Sequence, residues 1–480
     1  LKQSCLRTFF NKRSEKMIQK MKGTYDLLPE ETRKWKALEK VIRNVSKIYN
    51  YEEIRTPIFE NTDLFHRSVG EETDIVSKET YDFIDRGKRS NTLRPEGTAG
   101  VVRSYIENKL YADKLPVKKL YYMGPMFRYE RPQKGRYRQF AQFGVEAFGS
   151  ESPMLDAEVI SYAVSILKGL KIKDVTVHIN SIGDEESKVL YKEALVSYLS
   201  DKMDELCGDC KKRYKTNPLR ILDCKIDGDS PTIVNAPKPI NYLTKNAKKH
   251  FEDTLKYLDA MNVKYVIDHS LVRGLDYYTH TVFELKANLE SLGAQNTLCG
   301  GGRYNKLVQQ LGGPMVPGIG FAFGMERLMF ALESIQFKGD PQYCHLYMMV
   351  LGENQKEEGM RLLNRCRLGG LCSDIDFLDK NMKAQFKLSA YLNARFVAIY
   401  GEQEHLNGVI NLKDQETGTE VTIEKDALYT TIIEELMKPN PECSDCSEDS
   451  CDNCGEEKEE ESSCCGDDCT CGGNENEENA

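Results

Sequence analysis

Four arginines and a set of carboxylate, amide and phenol side chains carry the chemistry legible in this chain. Residues 121–149 read YYMGPMFRYERPQKGRYRQFAQFGVEAFG, in which two apolar-alternating runs flank the loop PQKGR, with its Lys134, Gly135 and Arg136. That alternation predicts a β-hairpin. Arg128 falls at the end of its first strand, and Gln142, Val145 and Glu146 fall on its second. Arginine from one strand beside Gln and Glu from the next can grip a phosphate and a small polar ligand side by side. The planar guanidinium suits the first task because it donates bidentately and stays charged. On charge alone, a surface hairpin with solvated cations fits as well.

Two downstream segments change that balance. RGLDYYTHTVFEL spans 273–285, and GGGRYNKLVQQLGG from Gly300 is followed by GIGFAFGMERL at 318–328. With the hairpin, these segments resemble class II aminoacyl-tRNA synthetases, and among them the bacterial-type histidyl-tRNA synthetase family, over about Gly23 to Lys438. The resemblance implies ATP-dependent ligation of L-histidine to tRNA(His) through a histidyl-adenylate. Both half-reactions build charge on phosphate oxygens, so positioned cations should dominate the rate effect.

The resemblance also assigns roles. Arg128 matches the arginine on the ATP α-phosphate, Arg136 one that reaches the outer phosphates, and Arg327 one near adenine and the γ-phosphate. Arg273 matches the family's catalytic arginine, between the amino-acid carboxylate and the α-phosphate. Glu96, Thr98 and Gln142 match the positions that receive the histidine α-ammonium, and Gly97 between them belongs to the same histidine site. Imidazole has one N–H donor and one acceptor nitrogen; Glu146 can accept the first and the Tyr278 hydroxyl can donate to the second. Tyr277 and Tyr304 match pocket walls. Gly318, Gly320 and Gly324 allow a ligand close to the backbone. Mg²⁺ is implied by ATP, with acidic residues of the helix after the hairpin, which include Asp156 and Glu158, as candidate ligands. A catalytically silent regulatory subunit of histidine biosynthesis is the alternative, and it predicts eroded arginines and a lost last domain.

The elements that must position these residues follow from periodicity. Residues 32–50 repeat at helical spacing through Trp35, Leu38, Val41, Ile42, Val45 and Ile48. YEEIRTPIFEN reads as a strand whose Pro57 favours an edge or interface; the family resemblance places a homodimer contact there. Residues 152–170 read as a helix and 175–184 as a strand and turn. These elements and the resemblance give an α+β catalytic core at 21–335, an antiparallel sheet of six or more strands flanked by helices. A Lys- and Glu-rich helical insertion at 185–262 interrupts it. Residues 341–438 alternate strands and helices, which predicts a small α/β domain with a mainly parallel sheet; the resemblance makes it the anticodon-binding domain.

Charge and cysteine divide the chain. The net charge is −9, but from Pro439 onward fifteen Asp and Glu face one Lys, so this tail carries −14 and the rest of the chain +5. A mildly basic body suits a tRNA partner. No apolar run approaches the ~18 residues of a membrane span, and a cytoplasmic location is expected. Residues 1–20 read as a disordered leader or short transit peptide, with Met17 and Met21 as alternative starts. Eight of the 16 cysteines lie in the tail at 439–480. There, Cys443, Cys446, Cys451 and Cys454 form two CxxC pairs able to take zinc or another soft metal. The segment has almost no apolar residue and is expected to be disordered without metal. Cys207, Cys210 and Cys224 lie in the insertion. They could hold zinc, but three cysteines are one ligand short of a closed site, and plain thiols or a redox-neutral turn is the favoured reading.

Overall fold

Strand alternation and strand pairing explain most of the architecture. A computed structural model describes residues 17–438 except 71, 72, 74, 134, 223, 225, 276 and 290–295. The chain divides into two compact units, Leu1–Pro341 and Gln342–Ala480. The tail cysteines, the first sixteen residues and Lys134 lie outside the described residues.

The first unit is built on an eight-stranded sheet. Its spatial order is Glu52–Glu53, Lys118–Phe127, Gln139–Phe148, Gly318–Gly324, Thr297–Arg303, Thr279–Ala287, Val175–Ser181, Tyr265–Ile267. The five inner pairings are antiparallel, and the two outermost are parallel. YEEIRTPIFEN is not one strand. Glu52–Glu53 joins the large sheet, and Phe59–Asn61 joins a separate three-stranded sheet with Tyr81–Ile84 and Ser90–Leu93. Pro57 lies between the two, where no ladder bond is asked of it.

Because side chains alternate across a strand, the two faces of the large sheet differ in kind. Phe143, Val145, Phe283, Leu285, Ile319, Phe321 and Phe323 belong to one core. Leu38 and Ile42 of helix Pro29–Ile48, Ile160 and Ile166 of helix Pro153–Gly169, and Phe251 and Leu258 of helix Lys245–Ala260 complete it. The opposite face carries the intervening residues. Glu284 pairs with Gly300, Gly300 with Ala322, Ala322 with Gly144, and Gly144 with Tyr122. Small residues in the middle of that row leave a hollow, with larger polar residues at its ends.

Residues 185–262 are helical, and part of them makes a small core of their own from Tyr191, Leu195, Leu199, Leu206, Ile221 and Ile233. Helix Lys245–Ala260 instead packs on Pro153–Gly169 in the main core.

The second unit has a five-stranded sheet in the order Ser373–Ile375, Cys344–Val350, Ala394–Tyr400, Val409–Asp414, Glu420–Glu424. The first two pairings are parallel and the last two antiparallel, so the sheet is mixed rather than mainly parallel. Only five residues separate the last two strands, too few for the crossover that parallel pairing needs.

Candidate active site

The hollow on the polar face is a cavity of about 390 Å³. Eleven of the twelve residues assigned to the site from the sequence line it: Glu96, Thr98, Arg128, Arg136, Gln142, Glu146, Arg273, Tyr277, Tyr278, Tyr304 and Arg327. Gly97 does not. It precedes helix Thr98–Glu107 as its N-cap residue, and a Cβ there would overlap the Tyr122 ring.

One end of the cavity is cationic. Arg128 donates from Nε to the Pro95 carbonyl at 2.9 Å and lies over the Phe140 ring. Arg136 Nη1 is 3.4 Å from Glu130 Oε2, and Arg128 Nη1 is 3.8 Å from Glu130 Oε1. Arg327 donates to the Thr297 carbonyl at 3.0 Å. Burial lowers the Arg327 pKa, and the neighbouring Arg136 and Arg128 charges lower it further. Holding three guanidinium groups in mutual repulsion makes this end a receptor for a polyanion.

The other end is acidic and phenolic. Glu146 accepts from the Thr98 hydroxyl at 2.7 Å and from the Tyr304 hydroxyl. Burial pushes its carboxyl up to about 8; the two hydroxyl donors pull the other way, and the Glu96 charge adds to the rise. Glu96 accepts the backbone N–H groups of Thr98 and Ala99 at 2.7 and 2.8 Å, holding the start of the helix beneath the cavity. Tyr277 stacks at a tilt on Tyr278 and edge-on to Tyr304, and all three are buried.

Arg273 lies between the two ends. It pairs with Glu284, which also accepts from the Thr297 hydroxyl at 3.1 Å. A side chain at Gly300 would overlap the guanidinium, so glycine lets Arg273 lie flat on the strand. Gly320 does the same for Glu146, and Gly318 for Tyr304. These two glycines therefore make room for the protein's own pocket side chains rather than for a ligand; Gly324 alone of the three has open space above it.

Three buried atoms of cavity residues make no hydrogen bond: Arg273 Nε, Gln142 Oε1 and Glu130 Oε2. Glu130 Oε2 has its ion pair with Arg136. Buried polar groups ordinarily find partners, so one donor, Arg273 Nε, and one acceptor, Gln142 Oε1, stand ready for a ligand.

The helix after the hairpin contributes no carboxylate here. Asp156 is buried against Arg303, and Glu158 pairs with Lys119 at 2.6 Å. The sequence reading missed Glu130, Glu284 and Tyr122. Glu130 lies two residues after Arg128, and Glu284 falls inside the quoted 273–285 segment. Strand alternation from Val282 would have aimed Glu284 at the cavity, had the register been known.

A cavity with three arginines at one end, carboxylates and phenols at the other and Arg273 between them, on a sheet with an antiparallel centre flanked by helices, is the arrangement of a class II aminoacyl-tRNA synthetase. The comparisons agree on the particular family. The histidyl-tRNA synthetase family model matches residues 23–328. A histidine–tRNA ligase of Bacillus subtilis (strain 168) is 50% identical over 407 residues, covering 84% of this chain and 96% of that one. One from Anoxybacillus flavithermus is 50% identical over 412 residues, covering 86% and 97%. The apo histidyl-tRNA synthetase of S. aureus superposes with a TM-score of 0.75 at 43% identity, covering 87% of this chain and all of that one. The chain belongs to the histidyl-tRNA synthetase family.

Proposed function

We propose how the residues of this cavity divide the family's reaction. The chain ligates L-histidine to tRNA(His) with ATP, through histidyl-adenylate, and releases AMP and diphosphate. The cavity's charge separation carries the assignment of roles. The three-arginine end takes the triphosphate, with Arg128 on the α-phosphate, Arg136 on the outer phosphates and Arg327 near adenine and the γ-phosphate. Arg273, with its free Nε, bridges the histidine carboxylate and the α-phosphate, where charge grows during attack. The free Gln142 Oε1, with Glu96 and Thr98, receives the α-ammonium. Glu146 and Tyr278 take the two imidazole nitrogens, and Tyr277 and Tyr304 close the walls.

ATP use implies Mg²⁺, which would offset phosphate charge at the arginine end of the cavity. Glu130, the carboxylate that lies beside Arg128 and Arg136 at the phosphate end, is the residue that would hold such a cation. Residues 341–438 are assigned to anticodon binding, and 185–262 to an insertion within the core at 21–335. A homodimer fits the exposed Phe59, Phe83 and Ile84 on the three-stranded sheet; light scattering tests it. Among the described residues no helix is long and apolar enough to cross a membrane, and a cytoplasmic site of action is proposed.

Histidine-dependent ATP–diphosphate exchange tests the assignment, screened against all twenty amino acids, with the full chain and with a chain ending at Lys438. Exchange with histidine alone is expected, at equal rates for both chains. No exchange from a folded protein would favour the silent regulatory relative.

A further inference from the structure

The insertion holds a side-chain cluster that aminoacylation does not use. Cys207, Cys210, Cys224 and Asp227 each offer one ligand atom, and the four atoms lie within 4.8 Å of one another. The sequence shows three cysteines and no obvious fourth ligand. Folding supplies it, because Asp227 lies on the same short turn as Cys224.

The arrangement is two matched knuckles. Cys207-Gly-Asp-Cys210 leads into helix Gly208–Thr216, with Cys207 as its N-cap residue. Cys224-Lys-Ile-Asp227 repeats the same ligand spacing in a turn closed by the Gly228 N–H on the Cys224 carbonyl at 2.8 Å. Cys207 Sγ and Cys224 Sγ are 3.8 Å apart. A tetrahedron of ~2.3 Å zinc–sulfur bonds has edges of about 3.8 Å. The backbone N–H groups of Ile226 and Asp227 both donate to Cys224 Sγ at 3.4 Å, a contact that favours thiolate over thiol. Cys210, Cys224 and Asp227 are buried, while Cys207 is partly exposed. Asp227 accepts the Cys207 backbone N–H at 2.9 Å, which fixes its carboxylate among the three thiols.

We propose that Cys207, Cys210, Cys224 and Asp227 form a structural zinc site. Zn²⁺ binds three thiolates and one carboxylate in a closed tetrahedron, and the three thiol protons pass to solvent with no change of oxidation state. The ion ties residue 207 to residue 227 and so braces the segment between them. That segment includes Arg220, whose guanidinium donates to the Gly274 carbonyl, next to Arg273. A small cavity of about 90 Å³ lined by Asn217, Leu219, Arg220, Arg273 and Tyr278 lies at this contact. The zinc knuckles thus hold the insertion against the loop that carries Arg273.

The test uses the full chain, purified under reductant, and reads metal content rather than activity. Because the tail has cysteines of its own, the quantity measured is the difference between wild type and variant. Cys210→Ser should lose one equivalent of zinc. Cobalt loading should give a wild-type-minus-variant spectrum with tetrahedral d–d and thiolate charge-transfer bands. Asp227→Asn, the gentler change, should surrender that equivalent at lower chelator concentration, and Asp227→Cys should hold it against more. Equal zinc content and equal chelator sensitivity in wild type, Cys210→Ser and Asp227→Asn would overturn the proposal. So would a Cys207–Cys224 disulfide, found by peptide mapping of protein whose free thiols are alkylated at lysis in the absence of reductant. Should Cys210→Ser fail to fold, the chelator titrations of the two Asp227 variants decide alone.

Discussion

Arg303 and Asp156 form an ion pair in which both side chains are 0% exposed. The Arg303 Nη1 group also donates to the Ser150 carbonyl at 2.8 Å. Asp156 also accepts from the Thr281 hydroxyl at 2.6 Å and meets His250 Nε2 at 2.8 Å. One carboxylate thus joins two strands and two helices, directly beside Tyr304 and its bond to Glu146. Burial alone would raise the Asp156 pKa, but the Arg303 charge and His250 outweigh it and hold the carboxyl well below its ordinary range.

Removing one partner of this pair should therefore be severe. Arg303→Met takes the guanidinium from a buried carboxylate and leaves it only His250 and the Thr281 hydroxyl, at up to about 3–5 kcal/mol, and urea unfolding should show it. Arg303→Met combined with Asp156→Leu should recover part of that loss. Because the folded pKa of Asp156 is depressed, its contribution is present above the unfolded value of 3.8 and is lost as pH falls through the folded one. Acid unfolding of wild type should be steeper than that of the double variant. Equal acid profiles would remove Asp156 from this role.

Glu146 titrates the other way. Its folded value of about 8 lies above the ordinary 4.5. Its contribution to stability is full below about 4.5 and fades as pH rises through about 8. The melting temperature of ligand-free wild type, measured against Glu146→Gln, should fall across that window. Glu146→Ala should chiefly raise the histidine KM. An unchanged KM would take Glu146 out of the pocket.

Arg273→His should lower the rate of adenylate formation by about 10²–10³, the usual cost of losing one donor to developing charge, with the fold and tRNA binding intact. Gly300→Ala supplies an independent check. Its methyl group would overlap the Arg273 guanidinium, and displacing a catalytic group by about 1 Å costs on the order of 10²-fold. Wild-type exchange from either variant would refute the placement of Arg273.

The three-arginine end predicts a selective loss of ATP affinity. A hydrogen bond to a charged group is worth about 1.5–3 kcal/mol, or roughly 10- to 100-fold. Arg136→Ala should raise the ATP KM in exchange by about that factor and leave the histidine KM near wild type. Diphosphate should stabilise wild type against heat more than it does this variant. A histidine KM that rose in parallel would mean that Arg136 shapes the whole cavity.

What the sequence determined by itself is the local chemistry. Residues 32–50 repeat with the period of a helix, and the runs on either side of the PQKGR loop within 121–149 alternate as a hairpin does, because both patterns arise from neighbours on one segment. The pocket residues were legible because their order along the chain resembles one family's. What the sequence left open depends on contacts between distant segments. Nothing local says that Asp156 would meet Arg303, 147 residues away, and so be withdrawn from the cavity. Nor does it say that Glu284 would pair with Arg273 across Gly300, or that Asp227 would join three cysteines. Strand register decides these outcomes: a shift of one residue would turn Glu284 and Glu146 into the apolar core and Phe283 and Val145 into the cavity. That register is held by packing on the far face of the sheet, which only the folded chain possesses.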